Sequence, residues 1–273
     1  MKIGHRQVGL FEGEEPTVAF VGVAKNSGKT TTLGYVLNRA VEEHTVGLVS
    51  IGVDGEEAGA ITEIDKPSIE LPSGHWIASA ADGFARSTAR FEFAHELGFS
   101  TSLGRAQIAR TIDAGEVVLA GMRHRRDLVG ARDSLYGCGA DCVLIDGAYG
   151  RTLTADGRIA DGIVLSTGAV LADNVDDIVE ATRPAVESLM LQAPDSEMAR
   201  DAAERALAGR GLYGVVDDEV VEVSCQSALT GLDETLEEYA DTLPMLATPG
   251  SLPHSLANSL AASHVYPRTL VVT

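Results

Sequence analysis

Gly28, Lys29 and Thr30 close the stretch VAFVGVAKNSGKTTT at residues 18–32. An apolar run precedes this turn and an amphipathic run follows it. A strand, a glycine turn and a helix in that order aim several free backbone N–H groups at one point, and such a point binds anions. Lys29 adds a mobile ammonium for the outer phosphates of a nucleotide, and the Thr30 hydroxyl is placed to ligate Mg²⁺. The expected nucleotide-binding residues are therefore Gly22, Lys25, Asn26, Ser27, Gly28, Lys29, Thr30 and Thr31. The spacing is a variant: the usual first glycine position is Val23, and Gly22 sits one residue earlier.

A phosphate loop only holds its ligand. Hydrolysis or transfer also needs carboxylates that hold Mg²⁺ through water and orient a nucleophile. CVLIDGAYG sets Asp146 directly after an apolar run, with Gly147 and Gly150 to free the loop beyond. The competing reading of Asp146 is a turn-forming Asp-Gly after a buried strand. LVSIGVDGEE ends a second strand with Asp54, Gly55, Glu56 and Glu57. Ligands of open α/β sheets lie outside the carboxyl ends of strands, so Asp54 is a candidate Mg²⁺-water ligand or base, set against a plain turn. Lys29, Asp54 and Asp146 are thus the catalytic candidates, and Thr30, Asp54 and Asp146 the metal candidates. Ser166, Thr167 and Gly168 of LSTGA are expected to shape the same crevice. Arg123, Arg125 and Arg126 form a dense basic group that reads either as an anion contact or as a solvated helix start.

The elements that must position these groups read as alternating β and α runs, the pattern of βαβ units. Strands are expected near 17–22, 46–52, 116–121, 141–146, 162–166, 212–216, 243–247 and 268–272. Leu33, Val36, Leu37, Ala40 and Val41 form a helical stripe, with Asn38, Arg39, Glu42 and Glu43 facing away. SIELPSGHWIAS reads as a hairpin around Pro72-Ser73-Gly74, and RAQIARTIDAGEVVLAG as another around Asp113-Ala114-Gly115. FARSTARFEFAHELG between them reads as a helix stopped at Gly98. Pro184 is expected to interrupt the helical pattern that follows Asn174. The fold expected is α/β, a mainly parallel twisted sheet flanked by helices with antiparallel hairpin additions. A nucleotide-binding domain is expected over 1–192, with 193–273 as an α/β extension or small subdomain.

Composition limits the partners. The chain has 273 residues, 45% hydrophobic, enough to fill a core, and 40 acidic against 21 basic residues give a net charge of -19. That charge repels phosphate backbones and anionic lipid, so neither nucleic acid nor membrane is an expected partner. No apolar run approaches the ~18 residues a membrane span needs. The start turns polar by His5 and Arg6, and Cys138, Cys142 and Cys225 are an odd set without framework spacing, so a cytoplasmic location is expected. Cys142, opening an apolar run, reads as a buried small hydrophobe.

The loop resembles those of known families. Its longer spacing is like that of dethiobiotin synthetase and other deviant P-loop NTPases, and KNSGKTT resembles the loop of molybdopterin-guanine dinucleotide adapter proteins. Some deviant members carry a second loop lysine that reaches the phosphates across a dimer interface; Lys25 is one residue short of that spacing, which favours an ordinary exposed lysine. The motifs GVAKNSGKTTT, GVDGE, GEVVLAGM, GADCVLIDGAYGR and LSTGA, in this order, resemble the small P-loop subunit of the lysine 5,6-aminomutase reactivase system over roughly residues 17–180. That resemblance implies a nucleotide-driven accessory protein acting with a MutS-like ATPase subunit on a cobalamin- and pyridoxal-phosphate-dependent aminomutase. Related P-loop proteins often dimerise, so a homodimer is a possible assembly. Two other functions compete with this one: an ATP-dependent kinase or ligase of the dethiobiotin synthetase type, and a non-catalytic nucleotide-binding adapter. The guanine signatures Asn-Lys-x-Asp and Thr-Lys-x-Asp are missing, which favours ATP over GTP without excluding GTP.

Overall fold

Apolar runs buried on both faces dictate the centre of the fold. The computed structural model describes residues 11, 13–51, 69–122, 124–147, 159–190, 196–209, 211–224, 243–249, 254–264, 267 and 269–272. The chain divides into two compact units whose sequence boundary falls between Met190 and Leu191.

In the first unit, strands β1 (Thr17–Gly22), β2 (Val46–Ser50), β4 (Trp76–Ala80), β5 (Phe91–Thr101), β6 (Gly104–Thr111), β8 (Cys142–Asp146) and β9 (Gly162–Ser166) form one sheet. Its order is β5-β6-β4-β2-β8-β1-β9. From β4 to β9 every pairing is parallel, while β6 runs antiparallel to β4 and to β5. Every residue of β1 and β2 is buried, as strands covered on both faces require. Helices α1 (Lys29–Ala40), α2 (Ala81–Arg86), α3 (Arg125–Gly137) and α4 (Val175–Leu189) complete this unit together with a two-stranded sheet of β3 (Ile69–Leu71) and β7 (Gly115–Val117). The alternation of side chains along the strands splits the core in two. Val18, Phe20, Leu48 and Leu144 pack with Leu33 and Leu37 of α1. Ala19, Val49, Val143 and Ile145 pack with Leu128, Ala131 and Leu135 of α3. Cys142 lies in the α1 layer, and burial drives its thiol pKa up to about 12, so it serves as packing.

Three expectations need correction. The turns at Gly74 and near Asp113 exist, but they do not close hairpins: β3 pairs with β7 and β4 pairs with β6, so the two arms exchange partners. β4 is buried along Ile77–Ala80 and so belongs inside the large sheet, which leaves the short β3 to find β7. The stretch from 91 to 101 is a strand, not a helix. Phe91 and Phe93 alternate with Glu92 and stack edge-on against Phe84 of α2, while Gly98 sits at φ 68° within a register shift of β5 against β6. It is a bulge residue rather than a helix stop. Finally, α4 runs through Pro184 from its Asn174 cap, whose Oδ1 accepts the Asp177 N–H at 3.0 Å.

The second unit has its own sheet, in the order β11-β10-β12-β13, built from β10 (Leu212–Val216), β11 (Glu219–Ser224), β12 (Met245–Thr248) and β13 (Thr269–Val272). β10 and β11 are joined by Asp217 and Asp218, both at positive φ (49° and 62°), the conformation of a tight primed turn. Helix α5 (Glu197–Gly209) covers one side with Ala199, Ala202 and Ala206 against Val215 and Ala247. Helix α6 (His254–Ala262) places Leu256 and Leu260 against Leu212 and Leu246. The expected helix near 227–241 lies outside the described residues. Among the described residues no helix is long and apolar enough to cross a membrane.

Candidate functional site

The site grows out of the end of β1. Gly22 ends the strand, Lys29 begins α1, and the turn between them contains two residues in the left-handed region, Asn26 at φ 64° and Gly28 at φ 89°. Glycine and asparagine are the residues that tolerate this conformation, and turns built this way make anion-binding concavities of main-chain N–H groups. Gly22 is needed for a different reason. A Cβ there would stand 2.6 Å from Ser27 Oγ and 3.1 Å from the Ala24 carbonyl oxygen, so the loop folds back over the strand end only because that atom is missing. The Ser27 N–H donates to Ala24 O at 3.3 Å, which fixes the fold-back.

Ser27 is 6% exposed, and its Oγ has no hydrogen-bond partner among the described residues. Leaving a buried hydroxyl unsatisfied costs about 1–3 kcal/mol. A polar ligand seated in the loop would remove that cost.

Lys29 spans the mouth of the turn. Its Nζ lies 2.7 Å from Asp146 Oδ1 and donates to the Gly147 carbonyl oxygen. Asp146 reaches this point because β8 is hydrogen-bonded between β1 and β2, with Asp146 in register with Phe20 on one side and Ser50 on the other. The Gly147 N–H donates to Phe20 O at 2.9 Å, and the Ile51 N–H and Ser50 Oγ both donate to Asp146 O, at 2.9 and 3.1 Å. The main chain at Asp146 is thus held from both neighbouring strands. The cation suited to phosphate and the carboxylate suited to a metal's water shell meet beyond the carboxyl ends of the interior strands β1 and β8.

On the other side of β1, β9 supplies a third wall. The Val23 N–H donates to Ser166 O at 3.0 Å, and Ser166 Oγ donates to Thr32 Oγ1 at 3.2 Å. Thr32 Oγ1 in turn donates to Gly28 O at 3.0 Å. Thr32 is a site residue that the motif reading passed over; its signal was the third threonine of the Thr30-Thr31-Thr32 run. Gly168 stands close enough that a Cβ there would meet Ser27 O at 3.7 Å.

The other expected residues divide plainly. Thr30 is half-buried in the first turn of α1, while Thr31, Asn26 and Lys25 are exposed. Asp54, with Gly55, Glu56 and Glu57, lies outside the described residues, beyond the point where Ile51 bridges to Met122. Arg123 also lies outside them. Arg125 and Arg126 open α3, and the Arg126 guanidinium stands 3.5 Å from Asp127, an acidic residue in the first helical turn that suits the helix dipole. Arg126 lines a hollow of about 350 Å³ with His95, Phe99, Asp127 and Ser134, against β5 at the opposite edge of the sheet from β9.

Comparison with family models, curated proteins and solved structures returned no match. What the site can do therefore rests on its own geometry.

Proposed function

We propose that this chain binds a nucleoside triphosphate together with Mg²⁺ at the Gly22–Thr31 loop and hydrolyses it. The observation that carries this reading is the Lys29–Asp146 pair, 2.7 Å apart across the mouth of a glycine turn with two left-handed residues. Main-chain amides from Asn26 to Thr31, the Ser27 hydroxyl and the Lys29 ammonium would hold the phosphates. Thr30 and Asp146, with Asp54 as a further candidate, would hold the metal directly or through its water. When bound, Mg²⁺ would supply charge neutralisation at the phosphoryl group being transferred. The missing guanine signatures favour ATP as the nucleotide, with GTP the alternative.

The family resemblance extends this proposal to a role: a nucleotide-driven accessory factor for a cobalamin- and pyridoxal-phosphate-dependent aminomutase, alongside a MutS-like ATPase. Support for that step is the order of motifs from GVAKNSGKTTT to LSTGA.

Isothermal titration calorimetry tests the core of the proposal. ATP with Mg²⁺ should bind with micromolar affinity and GTP more weakly. No heat from either nucleotide would overturn it. Restored turnover of an inactivated aminomutase, dependent on ATP and lost in Lys29→Ala, would support the accessory role; nucleotide binding without any such restoration would leave the adapter or kinase reading in its place.

A further inference from the structure

We propose that α4 is a docking face for a partner protein that presents an apolar helix flanked by basic residues. This goes beyond nucleotide binding and does not depend on it. At 3.6 residues per turn, the apolar residues of α4 fall on one side, yet the helix buries none of its residues. Ile178, Thr182, Ala185 and Leu189 are half-buried. The adjoining stripe is open: Val175 is 73% exposed, Val179 52%, Val186 39% and Met190 75%. A single exposed valine needs no explanation, but four apolar side chains in one row do.

The rim of the stripe identifies the occupant. Asp176, Glu180 and Glu187 run along its outer edge with only Arg183 among them, and all four are exposed. An apolar helix laid along the stripe would bring its own flank against those carboxylates, so a basic flank is favoured and an acidic one repelled. The same charges disfavour a second copy of this chain. Antiparallel twofold pairing of two α4 helices would bring the acidic flanks together, and pairing in either sense joins two chains that each carry a net charge of -19.

The test uses the full chain and three synthetic peptides of about five helical turns, ~18 residues each. One has leucines at helical spacing and lysines elsewhere. The second has the same composition in an order without helical periodicity. The third replaces lysine by glutamate. Fluorescence anisotropy is read at near-physiological salt, about 150 mM, where weak surface attraction is screened. The periodic basic peptide should bind with micromolar affinity, about tenfold or more tighter than the other two. The double substitution Val175→Ser and Val179→Ser should weaken it by a similar factor with unchanged thermal unfolding. Equal affinity for all three peptides, or equal affinity of parent and variant, would overturn the proposal. So would hydrogen exchange that already protects residues 175–190 in the chain alone, or self-association abolished by the same double substitution.

Discussion

Two helices are tied to the end of β9, and they treat their apolar faces in opposite ways. Thr32 of α1 accepts from Ser166, while Thr182 of α4 shares a 2.7 Å hydrogen bond with the next residue, Thr167. α1 buries Leu33, Leu37 and Ala40 in the core, and α4 buries nothing. The difference separates two duties. On the proposed reading the start of α1 holds an anion, and the packing beneath it, worth about 1.5–3 kcal/mol per large buried aliphatic, would keep that end from shifting. A helix with an open stripe contributes less burial to its own unit, which leaves that surface available to the partner proposed above.

The contrast is sharpest in stability. Leu37→Ala removes a fully buried side chain of α1 and should cost about 2–5 kcal/mol in urea unfolding. A cost below about 1 kcal/mol would break the distinction between the two helices. Next in size is Lys29→Ala, which removes the loop's ammonium while leaving the packing of α1 in place. It should weaken nucleotide binding about 10- to 100-fold by calorimetry, as loss of a charged hydrogen bond of about 1.5–3 kcal/mol implies. Asp146→Asn should act in the other direction when magnesium is left out. It releases Lys29 from its carboxylate partner, so Mg²⁺-free nucleotide binds several-fold tighter, while the gain that Mg²⁺ brings to the parent shrinks. A uniform loss in both conditions would show that the pair does not govern access to the loop. The smallest effect is expected on α4, where Val175→Ser should change unfolding free energy by no more than about 0.5 kcal/mol. A larger cost would mean that this stripe is structural after all.

Much of the fold could be read from the sequence because parallel strands buried on both faces announce themselves as apolar runs. VAFVG, VGLVS and CVLID all became central strands, and the stripe from Leu33 to Val41 became the packed face of the helix after the loop. The antiparallel side was harder. Turn residues locate a reversal of the chain, but they do not choose the partner, which depends on how deeply each arm can be buried. Gly74 and Gly115 lie at turns whose arms pair with one another's strands instead of their own. In ARFEFAHELG, the alternation is broken by a bulge at Gly98 and most side chains face solvent, so a half-exposed edge strand imitated a helix. β11 was missed for a related reason: Asp217-Asp218 makes its tight turn with both residues at positive φ, without a glycine to advertise it. At the site, the loop motif gave Gly22, Ser27, Gly28 and Lys29. Ser166 came separately, from the strand end LSTGA, but its meeting with Thr32 could not be read, because that depends on β9 lying beside β1, a fact of topology.

The Lys29–Asp146 contact also bears on how fast a ligand arrives. An ammonium already neutralised by its neighbour projects almost no field into solution, so an approaching polyanion meets mainly the excess acidity of the chain, -19 overall. Capture should therefore quicken as ionic strength rises, the reverse of the slowing shown by proteins that steer anions inward. A stopped-flow association rate that falls with added salt would mean that the loop is felt from afar.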